Sequence, residues 1–173
     1  MVRYTVLPRE SRVWIDARSS LHPIQSESTG LEGWFEAEVQ GGGRINLAAA
    51  PRGRVEIAID QLSSGNPLYD REMRRRTDSR RYPQIVGELA LMEDGGRDGR
   101  YRMRGDVSFH GRTCPVEDEM TLTWPAEGRL CLEGEHEFDI RDFAMEPPKI
   151  MMFRVYPDVT VRVRIVAEAD GDA

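Results

Sequence analysis

The chain has 173 residues, 39% of them hydrophobic and 31% charged, with a mean hydropathy of −0.54 and a formal net charge of −6. A chain of this length suits one domain with one core, and no apolar run approaches the roughly 20 residues that cross a bilayer as a helix. The acidic balance argues against general affinity for nucleic acid, which requires many cationic contacts to phosphate, and against a specific nucleic-acid partner.

Cys114 and Cys131 are too few for a disulfide scaffold and are expected as free thiols. The opening residues carry no basic segment, apolar stretch and small-residue cleavage site, so the expected compartment is the cytoplasm unless a leader has already been removed.

Apolar and polar residues alternate with a period of two along most of the chain, the pattern of half-buried strands. In chain order the predicted strands cover residues 12–19, with Val13, Ile15 and Ala17 inward, then 34–40, which holds Phe35, and 44–48. Val55, Ile57 and Ile59 share the inward face of the next. Residues 85–92 carry Leu89 and Leu91, and Tyr101, Met103, Gly105, Val107 and Phe109 alternate with Arg102, Arg104, Asp106 and Ser108. Residues 116–124, 129–140 and 159–165 complete a set of eight or nine. Turns are expected at Gly41-Gly42-Gly43, Pro51-Arg52-Gly53, residues 94–99, His110-Gly111 and residues 125–128.

Alternation fails between Pro67 and Tyr82, where residues 68–77 suit one short helix with Leu68, Tyr69, Glu72 and Met73 near one face. Tyr82-Pro83 ends it. Short strands joined by tight turns predict an all-β antiparallel fold; a closed barrel and a sandwich both protect the sheet edges, and periodicity alone does not choose between them.

Tyr4-Thr5-Val6, Gly33-Trp34-Phe35, Ile59-Asp60, Ser64-Gly65-Asn66 with Asp70 and Arg71, and Tyr82-Pro83-Gln84-Ile85 follow one another in an order that resembles the YceI family. The run from Gly105 to Thr113 is similar to the family's Gly-x-Leu-x-Ile-His-Gly-x-Thr hairpin, and Phe138 to Phe143 to its strand ending in Asp-Phe-Gly. Ala144 stands where the family usually has glycine, and residues 146–153 form a proline- and methionine-rich insert. The resemblance implies one lipocalin-like barrel of about eight strands spanning residues 1–173, holding a polyisoprenoid or isoprenoid quinone as its ligand, with no cofactor and no chemistry.

Parity predicts which residues would line such an interior. Asp118, Met120, Leu122 and Trp124 share the apolar parity of one strand, and Leu132, Gly134, His136 and Phe138 that of a later one. Asp118 and His136 would be its polar features, satisfying each other or a ligand head group, unless a bulge flips the register and exposes them. Met151 and Phe153 lie in a segment that would either close a lipid tunnel or plug the core.

The three histidines have no metal-ligand spacing, and no nucleophile elbow or phosphate loop is present. Arg74, Arg75 and Arg76 lead a basic cluster that is either a solvated helix face or a contact for an anionic group. The function expected is carriage or storage of a long apolar lipid. The alternatives are a module presenting the arginine helix to an acidic partner, and an enzyme using His136 and Asp118. A peripheral membrane contact and a homodimer are left open as further partners.

Overall fold

The computed structural model describes residues 1–150 and 152–171. Its strands are β1 (Val2–Val6), β2 (Arg12–Ser19), β3 (Ile24–Ser28), β4 (Leu31–Ala37), β5 (Val39–Gln40), β6 (Arg44–Ile45), β7 (Arg52–Ala58), β8 (Gln84–Asp94), β9 (Arg100–Phe109), β10 (Arg112–Ala126), β11 (Arg129–Asp139), β12 (Lys149–Ile150) and β13 (Phe153–Ala169). One α-helix, α1 (Pro67–Thr77), lies between β7 and β8.

All the main pairings are antiparallel, and β13 closes the ring. One edge of β13 pairs with β11; the other pairs with β2 and, further along, with β1. β1 and β2 act as one interrupted strand, and β3 and β4, paired with them, as the next. Counted this way, eight strands surround the axis, so the closed barrel rather than the sandwich is realised. Where β1 gives way to β2, the fully buried Ser11 takes the place of a strand partner for the Val166 amide: its hydroxyl accepts from that amide and donates to the Val166 carbonyl, which also accepts from the Leu7 amide.

The two ends differ. At one, β5 and β6 fold inward as a flap, where the Ile45 amide donates to the Tyr101 hydroxyl at 3.2 Å and Trp124 Nε1 donates to the Gly43 carbonyl at 2.7 Å. Trp124 meets Tyr4 edge on, and Leu122, Leu130 and Met92 are buried nearby in the same core. This end is filled.

The other end, the mouth, is crossed by α1. Asn66 caps the helix by accepting from the Leu68 amide, Pro67 occupies its first turn, and Asp78 ends it in a left-handed conformation. Asp70, buried, accepts from the Ser64 amide at 2.8 Å and ties the helix to the loop before it. The helix lies where the break in alternation predicts, but its inward face is Tyr69, Asp70, Met73 and Thr77 rather than one containing Leu68, which is 44% exposed.

Three other expectations are corrected, and β3 is a strand that none of them anticipated. Leu91 is exposed, because the β8–β9 register pairs Leu89 with Gly105 and then Leu91 with Arg104; the extra residue is a bulge that reverses parity and brings Met92 inside. Gly105 permits this close approach, since a Cβ there would stand 2.2 Å from the Glu88 carbonyl oxygen. Arg52 and Gly53 belong to β7 and not to a turn. Residues 44–48 hold only the short β6 before a 3-10 turn. β3 escapes periodicity altogether, because Ser26 and Ser28 take its inward positions beside Ile24.

The bulge and the filled end define a paired test. Leu130→Ala should lower unfolding free energy by about 2–5 kcal/mol, whereas Leu91→Ala should change it by no more than about 0.5 kcal/mol. Chemical denaturation midpoints at constant slope measure both, and an equal loss from the two variants contradicts the reversed register.

Candidate functional site

Above the filled end the barrel is hollow. The interior cavity has a volume of about 440 Å³ and is bounded almost entirely by carbon. Val55, Val107, Val161 and Val163 line it with short side chains, whereas the room beside Gly53, Gly87 and Gly134 is taken up by Phe35, Val55 and Met120. Tyr4, Tyr101 and Trp124, large enough to fill an eight-stranded interior, are gathered at the closed end.

Of the residues that parity places inward, Ile15, Phe35, Ile57, Ile59, Leu89, Met103, Val107, Asp118, Met120, His136 and Phe138 all line this cavity. Val13 and Leu122 are buried but sit in packed core away from the wall, and Trp124 belongs to the closed end. Leu91 faces outward at the bulge. Phe153 packs with Val155, Tyr69 and Ile24 in a small cluster at the mouth, outside the cavity lining. Met151 lies outside the described residues.

Asp118 and His136 are brought together on the cavity wall. They stand on the neighbouring strands β10 and β11, beyond the end of the ladder that runs through Leu122–Leu132 to Thr121–Glu133. His136 Nδ1 lies 2.7 Å from Asp118 Oδ2. The imidazole also packs edge on against Phe138, with ring centroids 4.5 Å apart. Both residues line the cavity, as their parity predicts, with their side chains partly exposed.

A line of rings leads from His136 to the rim. Phe138 touches Phe143, Phe143 touches Phe109, and His110 stands between Phe109 and Tyr82. His110 and Gly111 form the β9–β10 turn, both with positive φ, as a tight hairpin of the primed type requires. The strain of a non-glycine residue there is offset by His110 Nδ1, 2.9 Å from the Phe143 carbonyl, which fixes the following loop over the mouth. Ile140, at the end of the strand expected over residues 129–140, and Met145 also line the cavity, while sequence reasoning missed Phe143 and Pro148 of that loop, along with Tyr69 and Met73 of the helix. None of these four lies in an alternating strand.

Three of the four arginines of α1 have acidic partners. Arg75 and Arg76 both donate to Glu72, and Arg74 lies 3.8 Å from Asp60. These two hydrogen-bonded guanidinium groups hold the Glu72 carboxyl down to about 2. Arg76 also reaches the cavity edge. Burial pushes the thiols of Cys114 and Cys131 up, away from the thiolate form. Among the described residues no group of three His, Cys, Asp or Glu side chains is placed to hold a metal, and no helix is long and apolar enough to cross a membrane.

A family model, the YceI-like domain, matches residues 4–167, and the chain belongs to this family of closed antiparallel barrels. The particular structures it is similar to include BcnA of Burkholderia cenocepacia, with a TM-score of 0.77 and 14% identity, over 93% of this chain and 98% of that one. A polyisoprenoid binding domain from Saccharophagus degradans, implicated in plant cell wall breakdown, gives 0.76 and 12%, over 98% of this chain and 100% of that domain. The YceI protein of Campylobacter jejuni gives 0.60 and 12%, over 80% and 82%. No curated protein sequence is significantly similar to the chain.

The depressed Glu72 carboxyl makes a pH prediction. A group whose acidity is strengthened by folding contributes stability above its unfolded pKa and loses it as pH falls through the folded one. The bracket with Arg75 and Arg76 should therefore survive from pH 7 to about 4 and weaken only towards about 2. Carbon-13 titration of the Glu72 carboxyl checks this; a midpoint in the ordinary carboxylate range means that the bracket does not hold in solution.

Proposed function

We propose that the chain binds one long apolar lipid of the polyisoprenoid or isoprenoid-quinone class inside the barrel, carrying or storing it without chemical change. The observation that carries this reading is the apolar cavity of about 440 Å³, a volume within the roughly 300–1,000 Å³ of small-molecule sites. Each methylene transferred from water to such a wall gains about 0.8 kcal/mol before ordering costs, so affinity grows with chain length and needs few directional contacts. A similar barrel is a polyisoprenoid binding domain, which supports the same ligand class here.

The rim of the mouth supports loading from a membrane. His22, Tyr69 and Phe153 pack their rings within 5.9 Å of one another, joining the β2–β3 hairpin, α1 and the start of β13. Their sequence neighbours Leu21, Leu68 and Met152 are consequently gathered at that rim, all exposed, with Leu21 at 70% and Met152 at 101%. Apolar side chains held in water around the entrance of an apolar cavity suit contact with a bilayer. The alternative, in which α1 offers Arg74, Arg75 and Arg76 to an acidic partner, has less support because those charges are already shared with Glu72 and Asp60.

Mass spectrometry of an organic extract of the purified protein is expected to yield a lipid with a long hydrocarbon chain. Val107→Trp should then abolish uptake of a fluorescent lipid probe, since Val107 lines the cavity and an indole there would take up its interior. Because the new ring enters a void, the melting temperature should stay within a few degrees of the parent, less than the usual overpacking cost of about 1–3 kcal/mol implies. Absence of uptake by the parent protein, with a fall in melting temperature as the sole effect of Val107→Trp, contradicts the lipid reading.

A further inference from the structure

One hydrogen-bonding position on the cavity wall has no protein partner. A carboxylate only accepts, so the 2.7 Å contact between Asp118 Oδ2 and His136 Nδ1 places the imidazole proton on Nδ1. In the neutral ring Nε2 is then an acceptor, and among the hydrogen bonds of the described residues His136 makes this one contact alone. The ring lines the cavity, three residues along β11 from its mouth end at Asp139, which is roughly 10 Å of strand. Leu130, also on the wall, lies six residues further towards the closed end, or about 20 Å.

We propose that His136 Nε2 selects a lipid carrying a hydroxyl group, an isoprenoid alcohol, phenol or quinol, over the quinone, ether or hydrocarbon with the same tail. The inference rests on the lipid reading of the cavity and adds the chemistry of the head. A hydroxyl can donate to Nε2. A carbonyl or ether oxygen has no proton to offer, sets its lone pairs against that of the ring and gains no bond there. Sites built around a hydrogen bond discriminate against analogues that lack it far better than apolar pockets discriminate by shape. Asp118 acts as the positioning residue, holding the tautomer that makes Nε2 an acceptor. With the hydroxyl at this level, the tail extends down the apolar wall towards Leu130 and Ile165.

The full chain, stripped of lipid, is loaded with 1-anilinonaphthalene-8-sulfonate and titrated with geranylgeraniol or with its methyl ether, which has the same tail and no hydroxyl proton. The parent protein should release the probe at about 5- to 20-fold lower concentration of the alcohol, the effect of one hydrogen bond. His136→Phe should displace the probe with either lipid equally, at the concentration the ether requires on the parent. Asp118→Asn, which lets the ring take the other tautomer, should also reduce the preference while preserving the shape of the wall. The nitrogen-15 signal of His136 Nε2 should move on addition of the alcohol and stay in place with the ether, a readout that a structural histidine does not give. Equal displacement by both lipids from the parent, or a preference that persists in His136→Phe and Asp118→Asn, overturns this inference and leaves the lipid reading standing. Displacement by neither lipid from the parent overturns both.

Discussion

The structure depends on what β13 does along its length. A single strand of 17 residues supplies the edge for β11 on one side and for β2 and β1 in succession on the other, and this is the pairing that turns a sheet into a ring. Closure fixes the radius, because strand number and tilt together set the width of a barrel. Side-chain size then decides whether the interior is solid. Large residues such as Tyr4, Tyr101 and Trp124 fill one half, and short side chains such as Val107, Val161 and Val163 leave room in the other. The wall cannot collapse onto the void without breaking the ladder, so the cavity is a property of the backbone as much as of its lining.

This division explains which parts of the molecule were legible in the sequence. Strands buried on one face declare themselves through alternation, and β9, β10 and β11 run almost as expected. β3 was illegible because it places Ser26 and Ser28 inward, with no apolar period to detect. Leu91 was misassigned because alternation continues through residues 85–91 while the backbone inserts an extra residue opposite Gly105; nothing in a hydrophobic pattern marks that point. Parity states which face a residue takes but not how far along the axis it stands. Val13 and Leu122 are therefore correctly inward yet lie in packed core, away from the hollow part.

The polar pair was legible for the opposite reason. Asp118 and His136 interrupt apolar rows on neighbouring strands, so the same parity that sends each to the interior leaves it within reach of the other. The mouth could not be read in this way. Its lining comes from α1 and from the loop after β11, whose positions are set by contacts between segments distant in sequence, such as His110 with the Phe143 carbonyl and His22 with Tyr69. A single sequence carries no period for such contacts.

Ser11 links the two halves of the barrel through a hydroxyl where a backbone partner is missing. On either side of it the first hairpin has separate ladders, β1 with β4 beside the filled end and β2 with β3 beside the mouth. The cooperative unit anchored by the packed core can thus keep its amides protected against solvent exchange while the ladder around the mouth breathes, since local opening costs least where few apolar contacts are broken. A side-chain bond in place of a continuous ladder marks the boundary at which such partial opening stops.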